Sequence, residues 1–445
     1  MIKVKKLPND PGATAWNSIL ASRVAAPMLS ERRNADWLII GAGFAGLAAA
    51  RRLRELHPVD CIVLLEACTV ADGPAGRNSG FMIDLPHDLS SDDYGGALEA
   101  DKQQTAANRA AIQFAENTAR DFGLSEEALV LSGKINAAAT SNGLANNRDY
   151  AAHLVAMQEP HELFDAAQMK SITGINYYQG GLFTPGTAML QPALYIRGLA
   201  DGVVSMGVDL FEQSPVLSLQ QVGVDWVVST PSGAVTAPSV ILAVNGHAES
   251  FGFYQRRLMH VFTYGSMTQR LSTDDIKRLG GDARWGITPA DPMGTTVRRL
   301  SGTGGDRLVI RNRFTYDPSM EVSRKRLDRV ARIHSQAFRA RFDCLGNIPM
   351  EYTWGGRLCV SRNNVQAIEE VRPGLFTAVC QNGLGAAKGT LGGMVAAELA
   401  SGCSSALAQQ VAGQAELKSL PPEPIAWLGA NAVMRWDELR AGREL

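Results

Sequence analysis

Three glycines and an acid near the start of the chain have the types and spacing that hold a dinucleotide. Residues 36–67 read DWLIIGAGFAGLAAARRLRELHPVDCIVLLEA, with Gly41, Gly43 and Gly46 spelling GxGxxG and Glu66 standing 20 residues after Gly46. Gly41 permits a tight turn from strand to helix, Gly43 lets a pyrophosphate approach the backbone, and Gly46 allows the helix to pack closely on the strand. The helix opening at Phe44 and Ala45 presents unpaired N–H groups and the positive end of its dipole to the phosphates. Glu66, followed by Ala67, is placed to accept hydrogen bonds from an adenosine ribose. An isolated GxGxxG also occurs in ordinary βαβ turns. Here an apolar strand precedes it, a helix follows it and the acid lies at the right distance.

Two later stretches could touch the same ligand. The loop ADGPAGRNSGF, residues 71–81, has too much Gly, Pro, Asn and Ser for a regular element. Its Gly76, Arg77, Asn78 and Ser79 suit backbone wrapped closely round a ligand, although a plain surface loop reads the same way. Near the other end, a strand at 375–380, a glycine turn with Gly383, Leu384 and Gly385, and a helix from about 390 spell GxGxxxG. No second strand with a terminal acid follows, so the βαβ unit is incomplete and this is no independent nicotinamide site. A helix N-terminus approached by glycines and followed by Lys388 could instead stabilise negative charge on a cofactor or intermediate.

Candidate substrate contacts are Asp84 and His87 after the loop, and Tyr254, Tyr264, Arg298 and Trp354 further on. Asp84 could bind an ammonium group and Arg298 a carboxylate. The blander readings are a loop cap for Asp84, half-buried core for the tyrosines and a solvated hairpin arginine. His247 and His260 have weaker claims. No Ser/His/Asp or paired-carboxylate pattern stands out.

The elements that must position these residues follow from length and pattern. The 445 residues correspond to two or three domains at ~150 residues each. The expected division is a leader at 1–35, a dinucleotide-binding domain from 36–100, 190–250 and 355–415, a substrate domain from 101–189 and 251–354, and a helical tail at 416–445. In the leader, Trp16, Ile19 and Leu20 could pack as a short helix on the body. Amphipathic helices are expected at 101–122, 192–205 and 324–341, the last with a basic face, and a hairpin joins 294–300 to 307–313 across SGTGGD. The tail is expected to be a helix with Trp427 and Trp436 on its apolar side, packing on the body, with oligomerisation the alternative.

With 43 basic and 44 acidic residues, nothing points to a polyanion, so nucleic acid is not an expected partner. Six scattered cysteines lack disulfide-framework or zinc spacing, and no metal site is indicated. The longest apolar run, 37–50, is too short to span a bilayer and the start of the chain has no secretory pattern, so a cytoplasmic protein without a transmembrane segment is expected.

Taken together, IIGAGFAGLAAARRL with LLEA, GPAGRNSG, GLFTPGTAMLQP, SPV, VILAVNGHA, WGGRLCVSRNN and LFTAVCQNGLGAAKGTLGGMVAAELASG resemble the D-amino-acid-oxidase-like superfamily of FAD-dependent oxidoreductases, nearest its gamma-glutamylputrescine-oxidase-like branch. The resemblance covers residues 35–405 in family order. It implies an α/β fold, with a discontinuous Rossmann-like FAD-binding domain and an α+β substrate domain holding a large mixed or antiparallel sheet.

It further implies that Gly41, Gly43, Gly46 and Glu66 hold the ADP half of FAD and that Val216 meets adenine through its backbone. Asn245 and Gly246 border the cofactor, Arg77, Asn78 and Ser79 lie along the pyrophosphate and flavin ring, and Gly383, Gly385 and Lys388 line the ring's pyrimidine edge. Trp354 stands near the position where sarcosine oxidases carry a flavin-linking cysteine, which implies non-covalent FAD. The family's Gly-His-Gly turn is Gly-Leu-Gly here, and the segment after Gly80 lacks the arginine that sarcosine oxidases use for a carboxylate.

The activity implied is oxidation of the C–N bond of an amine or amino acid, polyamine-type or N-substituted, by hydride transfer to flavin N5. The imine hydrolyses to a carbonyl product, and the electrons pass to O₂, a quinone or another acceptor. A 2-hydroxy-acid or polyol dehydrogenase or oxidase of the same fold is the alternative from a different reaction class. A flavin-binding regulatory protein is the non-enzymatic one.

Overall fold

The run Trp37–Ile40 is apolar and closes on a glycine, and it forms a strand whose last three residues are buried on both faces. It pairs in parallel with Ile62–Leu65, Trp37 opposite Ile62 and Ile40 opposite Leu65, and the helix Phe44–Leu56 crosses between them. Such continuous apolar strands belong to parallel sheets covered on both sides. The structure, a computed structural model, describes residues 1–86, 98–403 and 405–445.

This βαβ unit sits inside a six-stranded sheet ordered Val208–Phe211, Ile62–Leu65, Trp37–Ile40, Ser239–Leu242, Leu375–Val379, Ala367–Arg372. The first five strands run parallel and the last antiparallel. They come from three stretches far apart in the chain. The helix Gly385–Ala400 packs against Phe44–Leu56 so closely that a Cβ at Gly393 would stand 2.0 Å from the Ala45 carbonyl oxygen.

A second, eight-stranded sheet is ordered Met350–Val360, Met259–Thr268, Arg307–Tyr316, Thr296–Leu300, Trp285–Pro289, Lys134–Ala138, Gly180–Thr184, Glu162–Asp165. Only Trp285–Pro289 and Lys134–Ala138 pair in parallel. The expected hairpin is present, with Leu300 opposite Arg307. Basic helix Arg324–Arg341 buries Leu327, Val330, His334 and Phe338 on this sheet and turns its charged side outward. A mixed α/β protein with a Rossmann-like sheet assembled discontinuously and a large mixed sheet is therefore the fold, as the sequence leads one to expect.

The leader residues are part of this body. Ile2–Lys3 and Arg32–Asn34 are the edge strands of a five-stranded sheet, and Ala15–Ser18 is a short helix with Trp16 fully buried. The tail departs from expectation. Its helix Ile425–Ala441 docks through polar groups: Glu438 accepts from Phe314 N (3.1 Å) and from Arg313 Nη1 (2.9 Å), and Asn431 Oδ1 accepts from Tyr316 N (3.1 Å). Strand Arg307–Tyr316 outruns its neighbour Thr296–Leu300, and its leftover N–H donors need acceptors. Trp436 stays 64% exposed. Among the described residues no helix is long and apolar enough to cross a membrane.

Candidate functional site

Gly41 has φ of 102°, and a Cβ there would lie 2.8 Å from the Ala243 carbonyl oxygen; one at Gly46 would lie 1.7 Å from the Gly41 carbonyl oxygen. Only glycine lets the helix seat directly on the turn. Gly43, by contrast, has only Ala75 Cβ nearby at 3.6 Å, so space is left in front of it. It caps the helix with no side-chain hydrogen bond, which leaves the first-turn N–H groups for an anion. Glu66 Oε2 accepts from Ala42 N (2.8 Å) and Oε1 from Cys68 N (3.0 Å). Burial pushes its carboxyl up from the usual range, and those two N–H donors act against the rise.

One cavity gathers Gly41, Gly43, Phe44, Ala45, Glu66, Ala67, Asn78, Val216, Asn245, Gly246, Gly383 and Gly385. These residues follow five different strands of the same sheet, at strand-to-helix or strand-to-loop transitions. Gly46 and Gly76 stand behind the wall, the latter because a Cβ would come within 1.9 Å of the Ala71 carbonyl oxygen. Arg77 departs from the expected cofactor contact. Its Nε donates to Asp72 O (2.6 Å) and its Nη1 to Pro11 O (2.9 Å) and Gly355 O (3.3 Å), so the guanidinium holds loop backbone. Ser79 faces the other way, its carbonyl accepting from Arg298 Nη1 at 3.3 Å. Leu384 packs with Phe81, Ile83 and Met189. Lys388 is buried in the first turn of the closing helix, its Nζ 3.5 Å from Asn364 Oδ1.

Sequence reasoning missed several wall residues, among them Asp10, Cys68, Arg357 and Gln381, and gave His247 only a weak claim on substrate. They fit no fixed motif spacing and reach the cavity only through tertiary packing. His247 follows the Asn-Gly turn, so its neighbours were the available signal. Burial, then the charge of Arg357, pushes its imidazole down to about 2, and it is neutral at physiological pH. Nδ1 lies 3.2 Å from Ser250 Oγ, while Nε2 is buried without a hydrogen-bond partner among the described residues. An orphaned imidazole nitrogen, open glycines and an uncapped helix start fit a polar ligand with phosphate and hydroxyl groups.

The substrate candidates are arranged differently. Asp84 is fully buried and accepts from Arg109 Nη2 (2.9 Å) and Thr187 Oγ1 (3.2 Å), while Arg109 also reaches Glu159. That internal ion pair, and not a free ammonium site, is its described environment. Tyr264 likewise departs from a substrate contact, because its hydroxyl is 2.6 Å from Thr315 Oγ1 and its ring packs with Phe262, Leu327 and Val330 under the basic helix. Tyr254 is tied to Glu369 (2.9 Å) and Thr377 (2.8 Å). Trp354 Nε1 donates to Arg77 O (2.9 Å), and its ring meets Trp16 edge-on at 6.4 Å. Arg298 Nη1 donates to Gly80 O (3.0 Å) and Leu190 O (2.5 Å), with its guanidinium 5.4 Å from the Trp16 ring and 5.5 Å from Phe81. His87 lies outside the described residues. No cluster of metal-ligating side chains occurs among the described residues.

Residues 36–399 match the DAO family, described as FAD dependent oxidoreductase. The chain is 27% identical over 417 residues to a probable oxidoreductase, OrdL, of Rhizobium meliloti (strain 1021), spanning 90% of this chain and 91% of that protein. Its fold is similar to glycine oxidase from Geobacillus kaustophilus, with a TM-score of 0.67 at 18% identity over 84% of this chain and 96% of that one. It is also similar to iminodiacetate oxidase from Chelativorans sp. BNC1, with a TM-score of 0.65 at 16% identity over 83% and 96%. The chain belongs to the DAO family of FAD-dependent oxidoreductases, an enzyme whose cofactor is FAD.

Proposed function

We propose that this enzyme oxidises the C–N bond of an amino acid or related carboxylate-bearing amine, giving an imine that hydrolyses to a carbonyl product. FAD, when bound, supplies the two-electron acceptor. The remaining work falls to the protein: orienting the substrate C–H, excluding water and keeping the amine neutral.

Arg298 carries the reading. It is buried, it has no carboxylate partner among the described residues, and its Nε is without a hydrogen bond there. Desolvation pushes its guanidinium down to about 9, so it is still a cation at neutral pH. A buried cation without a counter-ion is destabilising until an anion arrives, and a substrate carboxylate is such an anion. The names of glycine oxidase and iminodiacetate oxidase denote carboxylate-bearing amines, which agrees with this choice over a polyamine.

The Cys359 thiol, hydrogen-bonded to Cys380 and buried, is held well above its ordinary value and is a poor nucleophile, which supports non-covalent FAD. We further propose that Lys388, three residues after the Gly383–Gly385 turn, counters charge on the reduced cofactor.

The test is anaerobic bleaching of the yellow holoenzyme against D- and L-amino acids, N-alkyl amino acids, polyamines and 2-hydroxy acids. Bleaching by a carboxylate-bearing amine with release of ammonia or a primary amine is expected. Arg298→Lys should raise the concentration needed by roughly tenfold or more for that amine and leave a carboxylate-free analogue unaffected. Bleaching by hydroxy acids alone would replace the reading with hydroxy-acid oxidation. Peroxide formation in air against dye reduction under argon then separates O₂ from a quinone or other acceptor.

A further inference from the structure

The cofactor cavity has a wall that no nucleotide motif supplies: Val4, Lys6, Leu7, Pro8 and Asp10 of the leader line it together with the glycine turns. The leader is tied along its length to segments that border the same cavity. Ile2 pairs opposite Leu219, Val4 N donates to Leu217 O (2.9 Å) beside Val216, and Lys5 N donates to Ser250 O (2.9 Å). Further along, Pro11 O accepts from Arg77 Nη1 (2.9 Å), Thr14 Oγ1 donates to Gly76 O (2.7 Å), and Trp16 Nε1 donates to Asn78 O (2.8 Å). Within this strap, Asp10 is a buried carboxylate, its side chain 6% exposed, and its Oδ1 has no hydrogen-bond partner among the described residues. The nearest cation is Arg357 Nη2 at 3.7 Å, beyond hydrogen-bond reach.

A buried carboxylate oxygen calls for a donor. An ionised carboxylate can only accept, and it repels phosphate; among the groups of FAD, the hydroxyls of the ribose and the ribityl chain are neutral O–H donors. We propose that the leader is a cofactor-binding element and that Asp10 accepts a hydrogen bond from one of these FAD hydroxyls. The inference rests on FAD being the cofactor, which the flavin content of the unmodified protein tests separately.

The experiment follows release of FAD from diluted holoenzyme by recovery of flavin fluorescence, with far-UV circular dichroism recorded on the same sample. For Asp10→Ala, release is expected to be about tenfold faster or more, the size of losing a hydrogen bond to a charged group, while the far-UV signal stays constant. Asp10→Asn keeps the shape and one acceptor and is expected to fall between that variant and the unmodified protein. Removing residues 2–10 should accelerate release further. Affinity of the apoprotein for ADP against FAD then assigns the hydroxyl: loss with both marks the ribose, and loss with FAD alone the ribityl chain. Unchanged release in both Asp10 variants overturns the proposal. So does release that coincides with loss of the far-UV signal, since Asp10 would then be holding the fold and not the cofactor.

Discussion

Around the six-stranded sheet, the groups that meet the cavity are largely backbone at turns, Gly41, Gly43, Gly383 and Gly385, whereas the candidates on the eight-stranded sheet are side chains such as Tyr264 and Trp354 that bond to other protein groups. A glycine turn presents the same N–H groups wherever a strand runs into a helix. A polar side chain presents its head group only where its surroundings leave that head group without a partner. The first kind of site is fixed by a few adjacent residues, and the second by the packing of the whole sheet.

That contrast is open to measurement. The largest effect is expected at Gly46→Val, where the added carbon meets the Gly41 carbonyl oxygen at 1.7 Å; flavin content should fall to about a tenth or less of the parent value, measured as the A450/A280 ratio. Gly429→Ala, in the tail helix and outside the cavity wall with nothing within 4 Å of the new Cβ, should retain flavin. If both lose it equally, the glycine turn is not the controlling feature.

Next is Arg109→Ala, which strips a fully buried Asp84 of its ion-pair partner. A cost of about 3 kcal/mol is expected in urea unfolding, the low end for a broken buried pair because Thr187 still donates to Asp84. A variant that keeps its stability but loses substrate affinity would move Asp84 back to an ammonium site.

His334 gives a smaller, pH-dependent effect. It is fully buried, with Ser266 Oγ 2.7 Å from Nδ1 and Asn312 Oδ1 2.8 Å from Nε2, so the neutral ring accepts at Nδ1 and donates from Nε2. Burial, reinforced by Arg313, pushes it down to about 3 from an ordinary value near 6.5. The unfolded chain therefore binds a proton first as pH falls, and stability is lost from about pH 6.5 downward. Between pH 7 and pH 5 the loss from this one group is about 2 kcal/mol. Denaturant titrations at both pH values on the parent and His334→Gln check it, and an identical pH dependence in the two proteins would refute it. The smallest effect is Tyr264→Phe: about 1 kcal/mol of stability from the Thr315 hydrogen bond, with kcat and KM unchanged. A rise in KM would return Tyr264 to the substrate.

Much of the fold was legible because short-range pattern and tertiary structure agree. The helices Pro192–Ser205 and Arg324–Arg341 follow from apolar periodicity and end where the residues predict. The tail helix was legible as a helix but not in its docking, because Glu438 and Asn431 answer N–H groups on a strand more than a hundred residues away. Of the cavity wall, the glycines, Glu66, Asn78 and Val216 could be read from motif or resemblance; Asp10 and Arg357 could not. Arg77 looked like a ligand residue because it sits in the right loop, yet its guanidinium is taken by three carbonyls, two of them from distant segments.

The sequence by itself determined where a dinucleotide meets backbone, since turn geometry, the helix start and the distance to Glu66 are properties of some thirty consecutive residues. Only the tertiary structure decided which side chains are left to bind. It paired Asp84 with Arg109, turned Tyr264 under the basic helix, and laid the leader along the cavity; among the described residues it left Arg298 without a counter-ion and one oxygen of Asp10 unbonded. The physical reason is that a polar group buried on folding must find a partner, and whether that partner is protein or ligand depends on every segment packed around it.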